Sequence, residues 1–110
     1  MSASSSPTPD TLIIGGGIIG CATAFELARR GVAVTVLDTR RPGLGATQAS
    51  AGMLAPFIEA NERSPLFSLA SRSLGMYDEF MARVREASGT AVTYHRTGSL
   101  QASVDPAHLQ

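Results

Sequence analysis

The chain has 110 residues and a mass of 11.4 kDa, 44% apolar and 16% charged, which suits one small domain or a piece of a larger one. Nine Arg and nine acidic side chains cancel, so no net field draws in nucleic acid or an anionic membrane, and the absence of Lys removes any Schiff-base nucleophile. One cysteine, Cys21, excludes an internal disulfide framework and a Cys-rich zinc site, and His95 and His108 leave little for a multi-ligand metal centre.

Residues 1–10, MSASSSPTPD, are rich in Ser and Pro. They cannot bury enough surface to offset their ordering entropy, and a disordered tail is expected. The apolar stretch 11–25 has no Lys or Arg before it and is interrupted by three consecutive glycines, which argues against a secretion signal. It is also shorter than the roughly 18 to 20 apolar residues of a bilayer span. No membrane partner is expected, and the cytoplasm is the expected compartment.

Thr11-Leu12-Ile13-Ile14 is a short apolar, β-branched run, the pattern of a buried strand. Gly15-Gly16-Gly17-Ile18-Ile19-Gly20 follows at once, and then a helical pattern whose inner stripe includes Ile19, Ala22, Phe25 and Leu27. Arg29 and Arg30 suit the negative end of that helix, and Gly31 suits its stop. Residues 32–37 read as a second buried strand ending at Asp38, so strand, glycine turn, helix and strand fit within 28 residues. That is close to the roughly 30 residues of a βαβ unit with a parallel sheet.

This context gives the glycines distinct mechanical roles. Gly15 allows the tight turn off the strand. Gly17 lets a pyrophosphate approach the backbone with no Cβ in the way, and Gly20 lets the helix pack closely on the sheet. The amides around Gly17, Ile18 and Ile19, at the positive end of the helix dipole, then face the phosphates. Asp38 stands 18 residues after Gly20, where a carboxylate accepts hydrogen bonds from both hydroxyls of an adenosine ribose. It would repel a 2′-phosphate, which disfavours NADP. A P-loop is excluded, since no Lys-Ser/Thr pair follows the last glycine. Cys21 reads as a small packing residue. Spacing alone leaves FAD and NAD both open.

The next segment, Arg40-Arg41-Pro42-Gly43-Leu44-Gly45-Ala46-Thr47-Gln48-Ala49-Ser50-Ala51-Gly52-Met53-Leu54-Ala55-Pro56, is a loop rich in Gly and small residues. It resembles the loop after the second strand of the D-amino-acid-oxidase-like FAD-dependent oxidoreductases. Within that superfamily, residues 49–56 look most like the glycine oxidases of thiamine biosynthesis. The resemblance runs over residues 11–103 and implies a Rossmann-like α/β FAD-binding fold. It implies cofactor contacts from residues 15–20, Asp38 and Thr39, with Ala46 and Thr47 on the phosphate side and Ala51, Gly52 and Met53 along the isoalloxazine. The Thr47 hydroxyl can donate to a phosphate oxygen. The family commonly carries Glu where this chain has Asp38, and relatives with covalent flavin can carry His near Ala49. Neither His nor Cys occurs between Asp38 and Tyr94, so any FAD bound here is expected to be non-covalent at this loop.

Further on, Ser64-Pro65 reads as an N-cap with proline in the first turn. One helix of about 24 residues then carries Leu66, Leu69, Ala70, Leu74, Tyr77, Met81 and Val84 on its inner face. Gly75 is its weak point, Glu79 and Arg83 are an i,i+4 pair, and Gly89 is its stop. Met76, Tyr77 and Met81 read as packing residues. Residues 91–95 and 99–103 read as a β-hairpin about Arg96-Thr97-Gly98, with His95 at a strand end and Arg96 as a solvated turn residue. By resemblance such a hairpin begins a substrate domain. Asp105-Pro106 opens a further helix, and the expected sheet has only two of its strands.

The expected organisation is therefore a tail over 1–10, an FAD-binding part over 11–90 and the start of a substrate domain over 91–110, the N-terminal portion of a larger flavoenzyme. The resemblance implies FAD-dependent oxidation of the C–N bond of a small amino acid or amine, with oxygen as acceptor. No residue of this stretch is nominated as acid, base or metal ligand. Two other readings stand beside it: a non-catalytic FAD-binding subunit that needs a partner chain, and an NAD-dependent dehydrogenase.

Overall fold

The computed structural model describes residues 8–59, 64–100, 102 and 104. Strands β1 (Thr11–Ile14) and β2 (Val34–Leu37) pair in parallel, with Thr11 opposite Val34 and Ile14 opposite Leu37. Helix α1 (Ile18–Arg29) is the crossover between them, so the expected βαβ unit is present.

Strand β2 is two residues shorter than the apolar run 32–37, because the first two amides of that run are engaged elsewhere. Arg30 and Gly31 close α1 as a Schellman motif: Gly31, at φ +82°, donates to Ala28 O, and Val32 N–H reaches back to Leu27 O. The amide of Ala33 donates to Asp10 Oδ2 at 3.0 Å, while Ala33 O accepts from the amides of Asp10 and Thr11. Asp10, placed in the tail by its sequence, is thus tied to the sheet.

Alternation along β1 sets its two faces. Ile13 turns toward α1, where its Cγ2 lies 3.4 Å from the place a Cβ on Gly20 would take. Leu12 and Ile14 lie on the opposite face and are 54% and 85% exposed.

The chain divides into two compact units, Met1–Gly52 and Met53–Gln110. The first holds β1, α1, β2 and a single-turn helix α2 (Ala46–Ala49) inside what the sequence reads as loop. The second is helical: α3 (Pro56–Glu59), α4 (Pro65–Gly75) and α5 (Tyr77–Ser88). Phe57 and Phe67 join α3 to α4 edge to face at 5.8 Å. Met81 in α5 and Pro56 at the start of α3 are the buried apolar side chains among the described residues. No helix of the described residues is long and apolar enough to cross a membrane.

Ser64 and Pro65 start α4 as expected: Ser64 Oγ accepts from the Phe67 amide at 3.1 Å. The single long helix, however, is broken. Its rise ends at Gly75, Met76 closes the turn by donating to Ser73 O, and α5 begins at Tyr77. Glycine is a poor interior residue, and Asp78 and Glu79 favour a helix start at that point, so the sequence supplies both a stop and a restart. Met76 consequently sits at the break, 57% exposed, instead of packing. Gly89, at φ +62°, ends α5, and the expected Glu79–Arg83 pair forms.

Among the described residues the hairpin expected at 91–103 is not seen: residues 91–100 make no ladder, and Gln101 and Ser103 lie outside the described residues. The segment lies back on α5 instead. Arg85 donates to Val92 O through Nε at 3.1 Å and a terminal nitrogen at 2.8 Å. The Tyr94 ring packs against Tyr77, tilted by 40° with centroids 5.4 Å apart, and Arg96 pairs with Asp78 rather than standing free in solvent. A run of β-formers without a strand to pair with takes the partners its helix offers. His95 is exposed and outside any strand, and the helix expected from Asp105-Pro106 falls outside the described residues.

Candidate functional site

The site is the turn between β1 and α1. Gly15 leaves the strand at φ +107°, a conformation open to glycine, and its amide donates to Leu37 O at 2.7 Å. Gly16 is buried; its amide donates to Asp38 Oδ2 at 2.7 Å, and its carbonyl accepts from the amide of Gly43 at 2.8 Å and from Cys21 Sγ at 3.3 Å. Gly17 is the N-cap of α1 and brings no side chain to cap it. The cap comes from far along the chain: Ile18 N–H donates to Thr47 Oγ1 at 2.9 Å.

Steric limits fix which glycines are required. A Cβ on Gly20 would stand 1.9 Å from Gly15 O, an impossible contact, so the close approach of helix and turn depends on glycine there. A Cβ on Gly17 would lie 3.1 Å from Thr47 Oγ1, the atom that caps the Ile18 amide at the start of α1. Ile18 and Ile19 carry their side chains outward, 56% and 81% exposed, leaving their backbone at the turn.

Asp38 does more than its sequence position suggested. Oδ2 accepts from Gly16 and Oδ1 from the amide of Arg40 at 2.9 Å. These backbone bonds, with the Arg40 guanidinium behind them, hold its carboxyl below the ordinary 3.8. Each carboxylate oxygen keeps a second lone pair for a further donor.

The first unit therefore brings together residues 15–20, Asp38 and Thr47, which the sequence separates by up to 32 positions. Thr39 follows Asp38 in the exposed backbone, and Ala46 opens α2 just before Thr47. Ala51 and Gly52 follow α2 outside any helix or strand, with the amide of Gly52, at φ +70°, donating to Ser50 Oγ. Met53 begins the second unit, 76% exposed. Gly43, at φ +84°, ties the loop to Gly16, a role whose one sign in the sequence is its alternation with Gly45 in Pro42-Gly43-Leu44-Gly45. In the second unit, Leu54, Pro56, Leu66, Ala70, Leu74 and Tyr77 line an apolar groove of about 280 Å³.

A parallel βαβ crossover with a glycine turn at the helix start and an acid at the end of the second strand defines a dinucleotide-binding unit. The sequence profile of the FAD-dependent oxidoreductases named DAO matches residues 10–110, and the chain belongs to that family. It is similar to the glycine oxidase of Bacillus licheniformis, 35% identical over 92 residues, which are 84% of this chain and 25% of that protein. It is similar also to the bifunctional protein ThiO/ThiG of Trichormus variabilis, 42% identical over 93 residues, covering 84% of this chain and 14% of the relative. The crystal structure of glycine oxidase from Geobacillus kaustophilus superposes with a TM-score of 0.70 at 40% identity, over 74% of this chain and 22% of that one. The chain thus spans about a quarter or less of the length of these relatives.

Proposed function

We propose that this chain is the N-terminal FAD-binding part of an oxidase acting on the C–N bond of a small amino acid, glycine being the first candidate. Residues 11–90 form the FAD-binding part and 91–110 open a substrate domain. The observation that carries the reading is the cradle at Gly17, where a Cβ would meet Thr47 Oγ1 and where the first amides of α1 emerge. Membership of an FAD-dependent family favours FAD over NAD for that cradle.

In this reading residues 15–20 and Thr47 hold the pyrophosphate, with Ala46 beside them. Asp38 accepts from the adenosine ribose, with Thr39 alongside, and Ala51, Gly52 and Met53 flank the flavin ring. FAD binds non-covalently, since neither His nor Cys lies between Asp38 and Tyr94. Bound FAD supplies two-electron oxidation of the C–N bond, giving an imino acid that water hydrolyses, with oxygen reduced to hydrogen peroxide. This chain's own residues bind and orient; none of them is assigned a proton transfer.

The test has two stages. Titration of the purified chain with FAD should quench flavin fluorescence saturably, whereas NAD should not compete. Peroxide release from glycine, sarcosine, proline and D-alanine by the enzyme that contains this sequence then ranks substrates. Saturable FAD binding without peroxide from any amine would leave a cofactor-binding unit and overturn the oxidase assignment.

A further inference from the structure

Arg40 is absent from the residues assigned above, yet its guanidinium has a defined seat. A Cβ on Gly45 would stand 2.8 Å from one terminal nitrogen of Arg40 and 3.1 Å from the other. The side chain therefore folds back across the bare backbone of Gly45, which sits at φ +90°. Two residues beyond Gly45, Thr47 Oγ1 holds the amide of Ile18. Two residues before Arg40, Asp38 feels its positive charge. Among the described residues no carboxylate forms an ion pair with Arg40.

The charge balance of the turn calls for such a group. A dinucleotide brings two phosphate charges. The α1 N-terminus offers about half a positive charge, and the Thr47 hydroxyl and the Ile18 amide are neutral. Asp38 adds a negative charge beside them, and the chain has no lysine. A guanidinium presents paired N–H donors that match phosphate oxygens and stays charged at every working pH.

We propose that Arg40 is the cation that pairs with the pyrophosphate of the bound dinucleotide, seated for that role by the missing side chain of Gly45. The inference rests on the reading of the turn as an FAD site. A Cβ at Gly45 would push the guanidinium from this seat, and φ +90° there disfavours any other residue in addition.

The experiment compares ADP with adenosine, the same ligand without its phosphates, on the full chain by calorimetry and by NMR shift perturbation. Arg40→Gln should weaken ADP binding about tenfold, leave adenosine within about twofold, and flatten the dependence of ADP affinity on salt. Arg40→Lys should recover part of the loss, and Arg41→Gln should leave both ligands within about twofold. Unchanged ADP affinity in Arg40→Gln overturns the proposal. So does an equal loss for adenosine, which would put Arg40 on the base or ribose, or an equal loss in Arg41→Gln, which would make the effect one of net charge. Failure of the unsubstituted chain to bind either FAD or ADP overturns the site reading itself and this proposal with it.

Discussion

Gly16 and Asp38, 22 residues apart, are joined by a 2.7 Å bond from the amide of the first to Oδ2 of the second. The carboxylate that ends β2 therefore fixes the turn that ends β1, and two neighbouring strand ends become one rigid corner.

That bond makes the corner sensitive to acid. The carboxyl of Asp38 titrates below its ordinary 3.8, first because Gly16 and then Arg40 donate backbone bonds to it. A depressed folded value means the stabilisation is complete above the unfolded value and is lost as pH falls through the folded one. Asp38→Asn should therefore be less stable than the unsubstituted chain at pH 6, with the difference shrinking below pH about 4. Urea melts of both proteins across that range check the sign; a gap that persists in acid would contradict it.

Gly20 and Gly75 offer a matched contrast. Gly20→Ala drives a methyl to within 1.9 Å of Gly15 O and should cost at least about 3 kcal/mol, or prevent folding. Gly75→Ala meets nothing within 4 Å in a helical turn and should stabilise by about 0.5 to 1 kcal/mol. Denaturant midpoints for the pair measure both effects.

Gly17→Val should abolish FAD binding while keeping most of the fold, because the branched side chain fills the cradle from its own side. Thr47→Val should act more mildly: it leaves the Ile18 amide without its cap and removes the hydroxyl, weakening FAD about tenfold. Fluorescence titration of FAD with each variant gives the order.

Ser64→Ala removes the side-chain acceptor of the Phe67 amide and should cost about 1 kcal/mol. Ser64→Asp restores an acceptor and should recover it. Thermal melts followed by circular dichroism are sufficient.

The first unit was legible because local chemistry dictates it. A β-branched run, glycines at fixed offsets and an acid at a strand end have few alternative uses, and the folded turn uses Gly15 and Gly20 in the expected ways. What escaped was long-range pairing. Nothing in the spacing indicates that Gly43 donates to Gly16, that Thr47 caps α1, or that both oxygens of Asp38 are engaged by backbone amides. The second unit misled for a different reason. Apolar periodicity runs through Gly75 unbroken, and only the competition between a weak interior residue and the acidic pair Asp78 and Glu79 divides the helix. At 91–100, strand propensity was real, but propensity forms no ladder without a neighbouring strand.

Cys21 donates to the carbonyl of Gly16, so the single thiol of the chain is held against the turn it follows. That hydrogen bond slows reaction of the partly exposed thiol with a disulfide-exchange reagent, which makes the labelling rate a native clock for breathing of the corner. The clock should slow when a dinucleotide clamps the turn, and it requires no engineered probe.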